Sequence, residues 1–267
     1  MLTQTSFQGK LTKTQNLFIP FLVAGDPTPD ITVQLAQKLQ TAGADVLELG
    51  VPYSDPIADG PTIQRAAKRA LESGMSLTKA IELVPKLREN GVDIPIVIFT
   101  YYNPVLQLGH DYFFELLEKN GVEGVLIPDL PYEESSEVRE LALNYDIEYI
   151  SFVAPTSEAR IQQIAEQARG FLYCVSTLGV TGERHEIAPE VLYFIDKVKA
   201  YSQAPVAVGF GISTNEHVRL IQQHADGVII GSKIIRLIEE ELDSLLTAEA
   251  REQALERFYV QVSDLVK

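Results

Sequence analysis

The sequence predicts an α/β protein built as a (β/α)8 barrel of the TIM type, on three observations. Eight short β-rich runs alternate with amphipathic helical patterns along nearly the whole chain. The 267 residues contain no low-complexity linker, and one large barrel accommodates that length. No GxGxxG follows the first strand, which disfavours the alternative for such alternation, a doubly wound open sheet. A single domain over residues 1–267 is expected, with an extra N-terminal helix and a long C-terminal helical segment.

The strand runs are "LFIPFLVAG", "DVLELGVP", "PIVIFTY", "GVLIPDL", "EYISFVAP", "FLYCVSTL", "PVAVGFGI" and "GVIIGSKI". Helical patterns fill the gaps: "PDITVQLAQKLQTAG", "IQRAAKRALESG" with "LTKAIELVPKLRENG", "HDYFFELLEKNG", "EESSEVRELALNY", "SEARIQQIAEQA", "PEVLYFIDKVKAY" and "TNEHVRLIQQH". Gly43, Gly91 and Gly121 stand just past helix ends, where a left-handed residue stops a helix. A helical stretch from about Ile235 to the end closes the series. It is amphipathic, and packing on the outside of the barrel explains it more simply than a partner helix. "AGADVLELG", "NGVEGVLIP" and "HADGVIIGS" echo one another as βα units, without the regular period of a solenoid.

The formal net charge of −15 disfavours partners with anionic surfaces, so neither nucleic acid nor membrane is expected. No run approaches the ~18 apolar residues of a membrane span. The N-terminus lacks the apolar core of a signal peptide, and one cysteine, Cys174, allows no internal disulfide. A cytoplasmic location is expected. No metal is expected either, since His110, His185, His217 and His224 show no ligand spacing. They read as surface or capping residues.

Chemistry concentrates in "LELGVPYSDPIADGPT". Alternation puts Val46, Glu48 and Gly50 on one face of the strand and Leu47, Leu49 and Val51 on the other. The apolar set belongs under the helices, so Glu48 points into the barrel near the end of its strand, where barrel active sites form. A buried carboxylate needs a partner, and the first five strands hold no lysine or arginine. The bland alternative is a glutamate hydrogen-bonded to Tyr101 or Tyr173. In the loop that follows, Asp-Pro and Asp-Gly pairs are ordinary turn chemistry. Its place above Glu48 nevertheless brings a second acid, Asp59, to the barrel mouth, and two carboxylates in different environments suit divided proton-transfer roles. Asp55 reads as a cap or loop stabiliser.

"VGFGIST" and "IIGSKI" each end in glycine followed by a helix start. In barrels the loops after strands seven and eight commonly bind phosphate through backbone N–H groups. Gly211, Gly231 and Ser232 would supply these, and "GVTGE" adds Gly182 on the same side. Amide dipoles can hold a dianion within an acidic protein.

With these residues in view, "LELGVPYSDPIADGPTIQRA" closely resembles the signature of the tryptophan synthase α-chain family. "IPFLVAGDP", "YYNPV", "PDLPYEES", "GVTG", "GFGIS" and "GSKI" extend the resemblance, in family order, over nearly the whole chain. The resemblance implies a lyase of tryptophan biosynthesis, cleaving indole-3-glycerol phosphate to indole and glyceraldehyde 3-phosphate. It implies a β-chain partner in an α2β2 tetramer, which joins the indole to serine with its own pyridoxal phosphate; no cofactor is implied on this chain. Carried over residue by residue, Glu48 and Asp59 are the catalytic acids. Phe21, Ile63, Phe99 and Tyr173 line the indole pocket, and Gly182, Gly211, Gly231 and Ser232 bind phosphate. Thr181 belongs to the loop that meets Asp59 on closure. Asp55, Asn103, Asp129 and Pro131 face the β chain. Thr177 and Leu178 depart from some members, and Pro104 beside Asn103 would stiffen the partner contact. A stand-alone lyase with the same acids and a non-catalytic phosphate-binding barrel are the alternatives.

Overall fold

The computed structural model describes residues 6–155, 160–175, 187–209 and 211–267. The eight runs form β1 (Leu17–Val23), β2 (Leu47–Gly50), β3 (Ile96–Phe99), β4 (Gly124–Leu126), β5 (Glu148–Tyr149) with β6 (Phe152–Val153), β7 (Leu172–Val175), β8 (Val206–Gly209) and β9 (Gly227–Ile230). Neighbours are parallel throughout, in the order β5-β4-β3-β2-β1-β9-β8-β7-β6.

β5 and β6 come from one run, "EYISFVAP", yet they occupy opposite ends of that order. The first half lies on β4, and Ile150 N–H still donates to the Val125 carbonyl at 2.8 Å. The second half lies on β7, where Tyr173 N–H donates to the Ser151 carbonyl at 3.0 Å. One strand thus passes from one edge of the sheet to the other and closes it into an eight-stranded barrel. Its split into two short pieces departs from the expected single strand, because each half pairs on one side only.

The helices are α1 (Phe7–Lys10), α2 (Pro29–Thr41), α3 (Pro61–Glu72), α4 (Leu77–Glu89), α5 (Tyr102–Leu108), α6 (His110–Lys119), α7 (Ser136–Asn144), α8 (Ile161–Glu166), α9 (Pro189–Tyr201), α10 (Asn215–Gln222), α11 (Ser232–Glu240), α12 (Leu242–Leu246) and α13 (Arg251–Val266). Thr28, Ser76 and Thr214 cap α2, α4 and α10, each side chain accepting a backbone N–H three residues on. Gly43, Gly91 and Gly121 follow α2, α4 and α6 with φ of +101°, +79° and +71°. α5 was not expected, since "YYNPV" shows no apolar period. Pro104 is tolerated there because it sits in the first turn, where N–H groups lack helical partners anyway.

The C-terminal stretch also differs from expectation. It begins at Ser232, earlier than Ile235, and breaks into α11, α12 and α13, with Thr247 extended after α12. α13 packs on α2 and α10 and buries Leu255, Phe258 and Val262, so its apolar face covers the outside of the barrel. Among the described residues no helix is long and apolar enough to cross a membrane.

Inside the barrel, Leu17, Ile19, Val46, Val97, Leu126, Ile150 and Ile229 form one cluster, while Leu47, Leu49, Ile96 and Ile98 face the helices. Phe7 of the short α1 closes the end from which the strands start, its ring 6.3 Å from that of Phe171. Two acids buried at that end are neutralised by cations. Glu123 takes Lys10 at 2.5 Å and Arg88 at 2.6 Å, and Glu148 takes Arg169 at 2.8 Å.

Candidate active site

Glu48 occupies the middle of β2, in register with Phe21 of β1 and Val97 of β3. Its side chain enters the barrel above Val46, as alternation requires. The residue is 1% exposed, and its Oε1 is buried with no hydrogen-bond partner among the described residues. Burial alone pushes its pKa up to about 8. Glu123 and Glu148, buried at the other end, each hold an arginine. A carboxylate without a cation among the described residues, where the same fold supplies cations to others, marks a candidate site for chemistry.

Asp59 lies in the loop after β2, 7% exposed. Burial raises its pKa to about 6, and a hydrogen bond from the Tyr101 hydroxyl pulls the other way. Tyr101, at the start of α5, also accepts the Ala58 N–H at 3.1 Å. The loop is tied again where the Gln64 side-chain amide donates to the Asp59 carbonyl at 2.7 Å. Tyr101 was expected as a possible partner for Glu48; its hydroxyl serves Asp59 and Ala58 instead. No spacing in the sequence says which acid a tyrosine at the end of the next strand will meet.

A run of aromatic rings leads from Phe21, in register with Glu48, to Tyr101, which bonds Asp59. Phe21 and Phe99 meet edge to face at 5.5 Å, Phe99 and Tyr101 at 6.4 Å, and Tyr53 lies 5.1 Å from Tyr101. Two glycines make room for the rings: a Cβ on Gly50 would stand 2.3 Å from the Phe21 ring, and one on Gly209 would stand 2.3 Å from the Tyr173 hydroxyl. Burial drives the Tyr173 pKa well up, and the negative charges of Glu48 and Asp59 add to it. Tyr173 therefore lies within electrostatic reach of both acids. Ile63 joins from α3, beside Phe21 and Gly231. All four expected wall residues, Phe21, Ile63, Phe99 and Tyr173, gather here.

Where phosphate binding is expected, Gly231 caps α11 directly after β9, and Ser232 is the first helical residue. Free N–H groups and the positive end of the helix dipole stand at the barrel mouth. Gly211 has φ +81° and lies in the loop after β8, but α10 starts only at Asn215 and Thr214 caps it. The expected glycine-then-helix arrangement thus holds for Gly231 and not for Gly211. Thr177, Leu178, Thr181, Gly182 and His185 lie outside the described residues.

The four expected partner-facing residues follow β2, β3 and β4, Asn103 within α5 and the other three in loops. Asp55 is exposed and accepts the Ser54 hydroxyl at 2.5 Å. Asn103, also exposed, donates to the Tyr53 hydroxyl at 3.3 Å, and Asp129 accepts the Tyr102 N–H at 2.8 Å. Pro131 is exposed at the start of the turn Tyr132–Glu134. These bonds link three successive loops into one rim beside Asp59 and Tyr101. Of the histidines, His110 sits between Tyr102 and Glu137, and His224 bonds Asp196. His217 corrects the expectation of a surface residue: it is buried in α10. No group of three His, Cys, Asp or Glu residues among those described is arranged to hold a metal ion.

Residues 7–266 match the family model for the tryptophan synthase alpha chain. The chain belongs to that family. The α chain of Geobacillus sp. (strain WCH70) is 60% identical over 248 residues, covering 93% of this chain and 94% of that one. The α chain of Bacillus subtilis (strain 168) is 56% identical over 252 residues, 94% of each. Among solved structures, the Pyrococcus furiosus tryptophan synthase a2b2 complex matches with a TM-score of 0.84 at 35% identity, over 95% of this chain and 98% of that one. The α chain of Legionella pneumophila subsp. pneumophila gives a TM-score of 0.85 at 32% identity, over 100% and 97%. Membership makes the chain a lyase of tryptophan biosynthesis, the α subunit that cleaves indole-3-glycerol phosphate.

Proposed function

We propose that Glu48 and Asp59 divide the proton chemistry of this cleavage. The observation that carries the reading is a pair of acids, buried and without a cation among the described residues, whose pKa values stand at about 8 and about 6. At neutral pH Glu48 keeps its proton and Asp59 is charged, which separates donor from electrostatic partner. Glu48 gives its proton to indole C3, and the ring becomes an indolenine cation. Asp59, beside the ring N–H, stabilises that positive charge. The bond from C3 to the hydroxyl-bearing carbon then breaks, its electrons return to the ring, and Glu48 recovers a proton from the hydroxyl as the aldehyde forms. Phe21, Ile63, Phe99 and Tyr173 hold the indole, and Gly182, Gly211, Gly231 and Ser232 hold the phosphate.

The reading extends to a β-chain partner on the rim of Asp55, Asn103, Asp129 and Pro131. That partner takes up the indole and brings its own pyridoxal phosphate, while this chain works without a cofactor. One domain in the cytoplasm, apart from nucleic acid and membrane, suits an acidic chain with these partners.

The test is indole release by the purified chain, alone and with a β chain. Slow turnover that rises steeply with the β chain is expected. Fast turnover indifferent to the partner would mark a stand-alone lyase, and none in either case a binding barrel. Glu48→Gln should lose on the order of 10²–10⁴ in kcat. Normal turnover in that variant would remove Glu48 from the mechanism.

A further inference from the structure

Asp26, Arg65, Arg69 and Glu239 form a four-residue ionic cluster outside the walls of the pocket. Arg69 makes a two-pronged contact with Asp26, Nε to Oδ1 at 2.7 Å and Nη2 to Oδ2 at 2.9 Å. Its remaining arm, Nη1, reaches Glu239 Oε1 at 2.8 Å. Arg65, one turn earlier on α3, grips the same carboxylate through Nε at 3.0 Å and Nη2 at 2.5 Å. Asp26 is 2% exposed and sits in the loop after β1, next to Gly25 with φ +83°. Three elements therefore meet at one guanidinium: the β1 loop, α3 and α11.

Both helices start at the barrel mouth. α3 begins at Pro61, two residues after Asp59, and α11 begins at Ser232. At 1.5 Å per residue, Arg69 and Glu239 lie about 10–12 Å, roughly two turns, from those starts. Nearer the mouth the same helices approach at Ile63 and Gly231, where a Cβ on Gly231 would stand 3.8 Å from Ile63 Cδ1. Two points of attachment fix the angle of one rod against another, where a single point would leave a pivot. A forked guanidinium with a matching carboxylate is the stiffest ionic contact available for the outer point.

We infer that Arg69 and Glu239 are positioning residues that set the tilt of α11 against α3, and so the place of the Ser232 phosphate donors relative to Asp59. The inference rests on the phosphate site proposed above. Its variant is Glu239→Gln, which releases α11 while leaving the Arg69–Asp26 pair intact, so that no buried acid is stranded and the barrel folds. Steady-state cleavage of indole-3-glycerol phosphate is measured for the wild type, Glu239→Gln and Ser232→Ala. A looser phosphate site should raise KM roughly three- to tenfold with kcat changed less than about twofold. Glu239→Asp, with a charged but shorter side chain, should fall between the wild type and Glu239→Gln. An unchanged KM in Glu239→Gln together with a lowered melting temperature would show a brace without influence on the site and overturn the inference. If Ser232→Ala leaves KM unchanged and inorganic phosphate also fails to compete with the substrate in the wild type, no phosphate site stands at this helix start, and the inference falls with it for that separate reason.

Discussion

The Tyr101 hydroxyl is shared between the Asp59 carboxylate and the Ala58 N–H, so one side chain sets both the charge and the position of the loop that carries the second acid. The bond favours the ionised form of Asp59 against the burial that opposes it. If Asp59 acts as an anion and Glu48 as an acid, kcat/KM should fall below about pH 6 and again above about pH 8, the two pKa values of the site. Tyr101→Phe removes the stabilising bond, so the acid limb should move to higher pH while the alkaline limb stays. At pH 7 the loss of one charge-assisted bond should cost about 3–30-fold in rate. A pH–rate profile of the variant decides it, and an unmoved acid limb would separate Tyr101 from the ionisation of Asp59.

Glu48 makes a second, thermodynamic prediction. Its folded pKa of about 8 lies above the ordinary 4.5, so the folded chain holds a proton that the unfolded chain releases. Below pH 4.5 both states are protonated and Glu48 costs nothing through ionisation. As pH rises from there to about 8 the unfolded state is progressively favoured, and above about 8 the full penalty is reached. Glu48→Gln abolishes it. The variant should therefore melt higher than the wild type at pH 8.5, by an amount worth on the order of a few kcal/mol, and the gap should close toward pH 5. Calorimetry at the two pH values measures this; a gap independent of pH would mean that packing, not ionisation, separates the two proteins.

Much of this was legible in the sequence because local rules and the fold agree. Glu48 stands out as one acid in an apolar strand, and strand alternation alone sends it inward. Gly43, Gly91 and Gly121 stop helices by backbone geometry, which any reader of the sequence can apply. What was not legible depends on pairings across long separations. Lys10 meets Glu123, 113 residues away, and Arg65 meets Glu239, 174 residues away. The assignment of Tyr101 to Asp59 and the burial of His217 belong to the same class. α5 was hidden for another reason: seven residues with a proline in the first turn carry too little apolar period to be seen.

The glycines under the aromatic rings give a prediction about space. A methyl group on Gly209 would enter the Tyr173 ring, and one on Gly50 would enter the Phe21 ring, at contacts no side chain tolerates. In each variant the ring must swing away from the glycine. Gly209→Ala should cost about 1–3 kcal/mol of stability and lower the affinity for indole as well. Urea melts and an indole titration check the two effects. A variant that melts earlier but binds indole normally would place Tyr173 outside the indole pocket.

The paired acids at the far end of the barrel predict the opposite separation. Glu123 is 4% exposed and accepts Arg88 Nη2 on both carboxylate oxygens, at 2.7 and 2.6 Å, as well as Lys10. It also accepts the Ile96 N–H at 2.8 Å, so it anchors the start of β3. Arg88→Met leaves this carboxylate with Lys10 alone and should destabilise the chain by about 3–5 kcal/mol, as when one partner of a buried pair is removed. The acids proposed to carry the chemistry, Glu48 and Asp59, stand at the other end of the strands, so kcat measured well below the melting temperature should stay within about twofold of the wild type. Removing the acid together with its cation, as Arg88→Met with Glu123→Gln, should recover part of the stability, because no charge is then left underpaired. If Arg88→Met instead lowered kcat at full folding, the two ends of the barrel would be coupled, and the division between a stabilising end and a reacting end would not hold for this chain.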